Sequence, residues 1–404
     1  MSKPKIMSIA GTRPEAIKMA PVVKAIEADG RFESIAVSTG QHKEMLDQVS
    51  AMFDIEPAHD LGLMKPGQSL NELVSRAVAG LDEVILAERP DVIISQGDTT
   101  TAMVAALAGF YREVKVVHVE AGLRTGNIHS PFPEEANRRI ISQIAQLHLA
   151  PTEESRENLR RENFRSSGIV VTGNTVIDSL LQAAEWDTEF CDPALAEAAA
   201  GDQRIVTVTT HRRENLDAMT EIGGAVQELA QNNPGIIFVL PLHLNPKVRD
   251  VVLPKVDQLD NVVITDPLPY DQFTKLMARS TLVLTDSGGV QEEAPSLGKP
   301  VLVMRENTER PEAVVAGTVK LIGTDKNRIV METQLLLDSK VAYDAMAQAV
   351  NPYGDGQAAQ RVVAAIAQML GVGERLPDFE PEARPADPGE DEPRLSDQLT
   401  EVKI

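Results

Sequence analysis

Residues 5–29, KIMSIAGTRPEAIKMAPVVKAIEAD, decide the fold class of this chain. An apolar run ends at Gly11, and a helical pattern follows from Pro14. Short apolar runs with little alternation are typical of strands that are buried on both faces, as in parallel sheets. The same pattern returns at residues 91–111, DVIISQGDTTTAMVAALAGFY, and again from residue 114. Repeated βα units of this kind predict a doubly wound α/β fold.

A second series of βα units follows the first. Its strand-like runs, each ending in polar residues or glycine, are residues 204–211, 235–243, 261–267 and 280–289. Residues 185–203, which include many alanines, are interpreted as the connection between the two series. The chain therefore predicts two Rossmann-like domains with a boundary near residues 173–190.

Charge and composition exclude several classes of protein. The chain has 404 residues and a net charge of −21, which disfavours nucleic-acid binding because phosphate contacts need clustered Lys and Arg. No apolar run is long enough to span a bilayer, and the short apolar stretch near the start does not fit a signal peptide. Cys191 is the single cysteine, so no intrachain disulfide is possible. We predict a cytoplasmic protein that binds neither nucleic acid nor membrane.

The end of the chain differs in composition from the rest. From Gly371 onward it has ten acidic residues, four basic residues and five prolines. Segments of this kind bury little apolar surface. We predict a disordered acidic tail over residues 371–404.

Polar residues gather where the predicted strands end. In an open parallel sheet, ligands bind outside the carboxyl ends of the strands. The residues at those ends are 11–13, 97–99 and 120–122 in the first series, and 211–214, 243 and 286–289 in the second. Two domains that face each other across these edges would enclose a cleft.

Two strand–helix junctions suit an anionic ligand. Residues 11–18, GTRPEAIK, combine a helix start with Arg13 and Lys18, although a βα turn with an exposed arginine fits equally well. Residues 286–294, DSGGVQEEA, offer two glycines for backbone contacts to a diphosphate. The alternative there is an ordinary helix cap. Neither junction is a GxGxxG or a Walker motif.

Several titratable groups are candidates for chemistry. Asp98, Glu120 and the pair Glu134–Glu135 stand near the ends of strand-like runs or flank the loop after one, where burial makes charge costly. Most carboxylates at such places are helix caps or solvated loop ends, yet several together are typical of acid/base catalysis. His211 directly follows a strand-like run and is also a candidate. The alternative interpretation is a histidine with a purely structural role. No HExxH motif or cysteine cluster is present, so we predict no metal site.

Taken together, the motifs resemble the bacterial non-hydrolysing UDP-N-acetylglucosamine 2-epimerases. The resemblance runs from about residue 5 to residue 370. It rests on GTRPEAIKMAP, QHKEMLDQ, GDTTTA, HVEAGLRTG, PFPEEANRR, TGNTVID, THRREN, HLNP, DSGGVQEEAPSLGKPVLVMRENTERPEA and NPYGDGQA, in this order. Two positions depart from the family pattern: Gln96 stands where some relatives carry His, and Thr210 stands where Gly is common.

The resemblance implies the GT-B fold, in which two Rossmann-like domains hold a sugar nucleotide in the cleft between them. It implies a first domain over residues 1–173 with the catalytic carboxylates, and a second over 174–351 that binds UDP. In that fold the last helix crosses back, so residues 352–370 would pack on the first domain.

The activity that the resemblance implies is the interconversion of UDP-GlcNAc and UDP-ManNAc. UDP is eliminated to give 2-acetamidoglucal and is added back, with no cofactor. The implied catalytic residues are Asp98, Glu120 and Glu134 as acid/base groups, and His211 as a donor to the departing diphosphate. The implied substrate contacts are His211, Arg13 and Lys18 at the diphosphate, Ser287, Gly288 and Gly289 at phosphate, Glu293 at the ribose, Phe273 at uracil, and Arg310.

A second UDP-GlcNAc site that activates the enzyme is also implied, as is a homodimer. The matching residues of that second site are Gln41, His42, Arg76, Arg212 and His243. Ordinary loop and cleft-lining residues are the alternative interpretation. The sequence itself does not show a dimer face.

Three other functions compete with the non-hydrolysing epimerase activity. A GT-B glycosyltransferase that uses a UDP-sugar shares the fold, since fold alone does not determine the reaction. It would not need Asp98, Glu120 and Glu134 together. A hydrolysing epimerase usually carries a kinase domain, which does not fit this chain. A sugar-nucleotide sensor would lose the acidic residues.

Overall fold

The computed structural model describes residues 3–40, 43–65, 67–210, 215, 218–308 and 310–381. Two parallel sheets form the two halves of the chain, in agreement with the predicted fold class. The first sheet has seven strands in the order β3-β2-β1-β4-β5-β6-β7. Their bounds are β1 Lys5–Ala10, β2 Glu33–Ser38, β3 His59–Asp60, β4 Val92–Gln96, β5 Lys115–Val119, β6 Leu147–Ala150 and β7 Ile169–Val171.

Helices cover both faces of this sheet. They are α1 Arg13–Ala28, α2 Lys43–Met52, α3 Leu70–Glu88, α4 Thr100–Tyr111, α5 Glu134–Ile144 and α6 Glu153–Arg161. Side chains specify several helix starts: Thr12 and Glu15 form a capping box on α1, as Ser69 and Glu72 do on α3. β4 is buried along its whole length, as a strand between two helical layers must be.

The second sheet has six strands in the order β10-β9-β8-β11-β12-β13. The strands are β8 Arg204–Thr209, β9 Ile236–Pro241, β10 Val262–Thr265, β11 Leu282–Thr285, β12 Val301–Val303 and β13 Val319–Leu321. The helices are α7 Thr175–Ala184, α8 Pro193–Ala200, α9 Met219–Asn232, α10 Pro246–Val256, α11 Tyr270–Arg279, α12 Gly288–Ser296, α13 Pro311–Ala316, α14 Lys326–Asp338, α15 Lys340–Ala347 and α16 Ala358–Met369.

The last helix, α16, belongs to the first sheet by its packing. Val362, Val363 and Ile366 lie in one buried cluster with Ile6 of β1 and Met19 of α1. The chain therefore passes between the two halves twice, after β7 and again before α16.

The two passages touch each other. The backbone N–H of Asn174 donates to the carbonyl of Tyr353 at 2.7 Å. Gly354 lies so close to Ile177 that a Cβ at that position would come within 3.1 Å of the Ile177 side chain. The two connecting segments are therefore packed into one junction.

The segment after α16 is ordered further than the sequence predicted. Disorder was predicted from residue 371, but residues 371–381 are described and pack on the first half of the molecule. Phe379 is only 5% exposed, and its N–H donates to the Val171 carbonyl at 2.7 Å. Arg156 pairs with Asp378 at 2.6 Å. The Phe379 side chain and the Arg156–Asp378 ion pair hold this segment in place. The average amino-acid composition of the segment does not reveal either contact.

None of the helices in the described part of the chain is both long enough and apolar enough to cross a membrane.

Candidate active site

The site lies where strand order reverses in the first sheet. β1 and β4 are neighbours whose following helices lie on opposite sides, and a crevice opens beyond their carboxyl ends. A cavity of about 800 Å³ occupies this position, between the first sheet and the second half of the chain. Its first-sheet wall includes Thr12, Glu15, Lys18, Gln96, Asp98, Glu120, Glu134 and Arg138. Its opposite wall includes Glu292, Thr308, Arg310, Glu312 and Tyr353.

Glu15 joins the two turns that border the crevice. Its carboxylate accepts from the N–H groups of Gly11 at 3.0 Å and Thr12 at 2.7 Å, and from the Thr99 hydroxyl. Gly11 is required by crowding, because a Cβ there would lie 2.3 Å from the hydroxyl oxygen of Thr101. Burial raises the pKa of Glu15, and these donors oppose that shift.

Glu120 is the most enclosed of the predicted acid/base groups. It follows β5 with a left-handed φ of 64° and is 9% exposed. Lys18 Nζ lies 2.7 Å from both carboxylate oxygens, and the Gln96 amide donates to Oε2. Burial raises the pKa of Glu120, and the charge of Lys18 opposes this.

Lys18 keeps its proton. Burial works to lower its pKa, but the carboxylates of Glu120 and Glu292 outweigh burial and the pKa is raised. Lys18 therefore places a fixed positive charge on the first-sheet wall of the cavity.

Asp98 is held by Arg138. The guanidinium donates from Nε at 2.9 Å and contacts the same oxygen from Nη2 at 2.7 Å. Arg138 is in turn anchored by Glu135, which is fully buried, at 3.0 Å. Burial works to raise the pKa of Glu135, but N–H donation from Thr125 and the two neighbouring arginines lower it overall.

Glu134 differs from the other two carboxylates. It is the first residue of α5 and lines the cavity. Its Oε2 is buried, and no described residue donates a hydrogen bond to it. A carboxylate that lines a cavity and has no described donor on one oxygen is suited to exchange a proton with a ligand.

The opposite wall carries Arg310 and Glu292. Arg310 Nε donates to Glu292 Oε1 at 2.6 Å. Burial works to lower the pKa of Arg310, but Glu292 outweighs it and the pKa is raised. Beside this pair, the Tyr353 hydroxyl donates to Glu312 at 3.4 Å. Arg310 therefore gives this wall a permanent positive charge of its own.

The start of α12 lies directly under Arg310. A Cβ on Gly288 would come within 2.5 Å of the Arg310 guanidinium, whereas Gly289 has open space beside it. Ser287 is the N-cap residue, but its side chain makes no capping hydrogen bond. Backbone N–H groups at a helix start, together with a guanidinium, form a site suited to phosphate.

A model of the UDP-N-acetylglucosamine 2-epimerase family matches residues 24–367. The chain belongs to the UDP-N-acetylglucosamine 2-epimerase family. The UDP-N-acetylglucosamine 2-epimerase of Escherichia coli (strain K12) is 50% identical over 369 residues, 90% of this chain and 98% of its own. That of Yersinia pestis is 50% identical over 368 residues, with the same coverage of 90% and 98%.

A solved structure extends the comparison to the fold. The UDP-GlcNAc 2-epimerase of Neisseria meningitidis, in a crystal structure with bound UDP-GlcNAc, is 44% identical to this chain with a TM-score of 0.80. The match covers 90% of this chain and 100% of that one. The predicted family and the GT-B fold class are confirmed, and the glycosyltransferase alternative is not favoured.

Five of the residues predicted for the epimerase site line the cavity together. They are Lys18, Asp98, Glu120, Glu134 and Arg310. Gly288 borders it through Arg310, and Ser287 and Gly289 are its neighbours at the start of α12. Glu293 lies on the same helix, and burial, aided by Glu292, raises its pKa to about 7. Arg13, at the start of α1, is near enough to Glu293 to oppose that rise.

Three predicted residues lie apart from the cavity lining. Phe273 of α11 packs against the buried cluster that includes Met277 and Val290. Arg76 lies on α3, and His243 is exposed after β9. Gln41, His42, His211 and Arg212 fall outside the described residues.

Several cavity residues were not predicted from the sequence. Gln96, Arg138 and Glu292 each touch a predicted residue, as does the buried Glu135 through Arg138. In the case of Glu292, the adjacent Glu293 was predicted instead. The rotation of a helix about its axis decides which of two adjacent carboxylates faces a cleft, and one sequence does not fix that rotation.

Proposed function

We propose that this protein interconverts UDP-N-acetylglucosamine and UDP-N-acetylmannosamine. The observation that carries the proposal is that Asp98, Glu120 and Glu134 line one cavity whose opposite wall carries Arg310. Relatives at about 50% identity are named UDP-N-acetylglucosamine 2-epimerases. Inversion at C2 requires a proton to leave one face and return to the other, and this needs more than one acid/base group.

The proposed route is elimination followed by re-addition. A carboxylate takes the C2 proton while the C1–O bond to UDP breaks, which leaves a C1=C2 double bond in 2-acetamidoglucal. A protonated carboxyl group then delivers a proton to the other face of C2 as UDP re-forms the bond at C1. The carboxylates that line the cavity supply these groups, and no redox cofactor takes part.

Departure of UDP places negative charge on the diphosphate. Arg310 and the first N–H groups of α12 are placed to stabilise that charge, and Lys18 extends the positive potential across the cavity. We propose that Ser287, Gly288 and Gly289 contact phosphate. In this proposal Glu293 holds the ribose, Phe273 lies near uracil, and Arg13 and His211 act at the diphosphate.

A proton NMR time course tests the proposal. Purified protein is incubated with UDP-GlcNAc in D2O, without NAD or added metal. We expect UDP-ManNAc to appear and deuterium to enter C2 of both sugars. An unchanged sugar without exchange at C2 would contradict the proposal.

We also propose that UDP-GlcNAc activates the enzyme at a second site that includes Arg76. Two guanidinium nitrogens of Arg76, Nε and Nη2, are buried and have no hydrogen-bond partner among the described residues. Gln41, His42, Arg212 and His243 would complete this site. If so, conversion of UDP-ManNAc speeds up when a trace of UDP-GlcNAc is added, and Arg76→Met loses that acceleration. Equal acceleration in both proteins would contradict the second site.

The product would supply ManNAc units for cell-surface polysaccharide from the cytoplasm. We further propose a homodimer. Leu86, Phe110 and Tyr111 are all about half exposed or more, at the ends of the adjacent helices α3 and α4. Apolar side chains exposed together are typical of interaction surfaces.

A further inference from the structure

Gln96 is the last residue of β4 and is only 2% exposed. Its side-chain amide donates to Glu120 Oε2. An ionised carboxylate only accepts hydrogen bonds, so the NH2 group of the amide, and not its oxygen, must face Glu120. The partner thus determines the orientation of this amide.

The donors around Glu120 are distributed unequally between its two oxygens. Oε1 receives one hydrogen bond, from Lys18, whereas Oε2 receives one from Lys18 and one from Gln96. Each carboxylate oxygen has two lone pairs. Within the described part of the chain no further donor reaches either oxygen, so Oε2 is fully occupied and Oε1 retains a free lone pair.

We propose that Gln96 is a positioning residue that occupies Oε2 of Glu120 and leaves Oε1 as the oxygen that exchanges a proton with the substrate at C2. The inference rests on the proposed epimerase function. It names which atom of Glu120 takes part and which neighbour selects that atom.

The backbone supports the same arrangement. Glu120 has a φ of 64°, which residues with a side chain rarely adopt, so its Cβ leaves the end of β5 in one enforced direction. Gln96 ends the neighbouring strand, and the two strands pair in register at Gln96 and Val119. The hydrogen bond between the two side chains therefore spans adjacent strand ends.

The other charged groups around Glu120 come from four elements. They are Lys18 on α1, Asp98 after β4, Glu292 on α12 and Arg310 before α13. Gln96 has no titratable proton, so its hydrogen bond holds at every working pH. Loss of a donor to a carboxylate disfavours the ionised form, so the pKa of Glu120 rises when that donor is removed.

Gln96→Met tests the inference, because methionine has a similar length but donates no hydrogen bond. We expect kcat to fall about 10-fold or more, as loss of an ordered proton-transfer group does, with KM for UDP-GlcNAc changed less than about 2-fold. The limb of the pH–rate profile that belongs to Glu120 moves to higher pH, whichever proton transfer Glu120 performs. Gln96→His restores a donor and is expected to recover most of kcat near pH 8.

Ser95→Ala is the matched control. Ser95 is buried on the same strand, but its hydroxyl donates to the Ala102 carbonyl at 2.7 Å, away from Glu120. We expect this variant to lower thermal stability while kcat and the pH limbs stay unchanged. An equal loss of kcat in Ser95→Ala would show that a loosened strand explains both variants, and would overturn the inference.

The inference is also overturned if Gln96→Met keeps the wild-type kcat and pH profile, or if folded Gln96→His is as slow as Gln96→Met. If Gln96→Met does not fold, the activity of Gln96→His near pH 8 decides. The wild-type protein is assayed in parallel. An inactive wild-type protein contradicts the proposed function itself, whereas an active wild-type protein with an unaffected Gln96→Met variant contradicts only the role of Gln96.

Discussion

At the scale of single residues, Asp98, Glu120 and Glu134 face one cavity but have different neighbours. Asp98 is paired with Arg138, Glu120 with Lys18 and Gln96, and Glu134 Oε2 with no described donor. Carboxyl groups with such different neighbours are suited to different steps of a reaction that removes a proton from one face and returns one to the other.

Neutral isosteres of the acid/base groups are expected to stop turnover. Asp98→Asn, Glu120→Gln and Glu134→Gln should each lower kcat at least about 100-fold, because each removes a proton-transfer group without changing its shape. Turnover is measured by coupled assay of UDP-ManNAc, and folding by circular dichroism. Glu157→Gln on α6, outside the cavity lining, is the control. Near-normal kcat in all three variants would contradict the assignment.

Residues at strand ends were predictable because topology alone brings them together. Asp98 and Glu120 follow neighbouring strands, so any parallel sheet in this order places them side by side. Arg138 and Glu292 lie inside helices, where the side that faces the cleft depends on packing. Gln96 is uncharged, so its residue type did not predict a role in proton transfer. Its hydrogen bond to Glu120 in the structure indicates that role.

At the scale of secondary-structure elements, Asp178 of α7 caps the start of α16. Its carboxylate accepts from the N–H groups of Ala358 at 3.2 Å and Ala359 at 2.8 Å. Burial raises its pKa to about 6 from an ordinary value of 3.8, although these donors oppose the rise. The folded protein therefore binds this proton more tightly than the unfolded chain.

The stabilisation from Asp178 is present below pH 4 and is lost as the pH rises through about 6. The change is roughly 3 kcal/mol, since each pKa unit corresponds to about 1.4 kcal/mol. We expect the urea midpoint of Asp178→Asn to fall less steeply than that of the wild type over this pH range. Parallel profiles would contradict this prediction.

Asp355→Asn provides a comparison of opposite sign. Burial works to raise the pKa of Asp355, but Arg361 and nearby N–H donors lower it overall. The stability that Asp355 contributes is therefore present at neutral pH and lost on acidification.

Residues 376–379 act as a short strap across the first sheet and α16. Phe379 packs against Arg361, whose guanidinium carbon lies 5.5 Å from the ring centroid. Composition predicted disorder for this segment, because an average over acidic and proline residues conceals one buried aromatic ring. The helix before it, α16, lies within residues 352–370, the segment that the resemblance predicted to pack on the first domain.

The strap can be tested by truncation. Removal of residues 382–404 is expected to leave thermal unfolding and activity nearly unchanged. Removal from residue 372, or Phe379→Ala in the full chain, should destabilise the fold, with about 3–5 kcal/mol for the lost ring. Val341→Ala, which shortens an exposed apolar side chain, is the control for the point substitution. Equal midpoints for the two truncations would contradict a role for the strap.

At the scale of the whole molecule, exposed apolar side chains predict that two copies of the chain associate. Leu86, Phe110 and Tyr111 form an exposed apolar surface on the first half of the chain. Light scattering should give about twice the monomer mass of 43.8 kDa. Tyr111→Asp is expected to shift the protein toward monomer, because a buried unpaired charge opposes association.

Val341→Asp is the control for that experiment, since Val341 is 73% exposed on the other half of the chain. A monomeric wild-type protein, or dissociation by Val341→Asp alone, would contradict an interface at α3 and α4.

The junction of the two connecting segments constrains how the halves move. Asn174 and Tyr353 are hydrogen-bonded to each other, so both crossings lie at one place. A rotation of the second half about this place would change the width of the cleft without stretching either connecting segment.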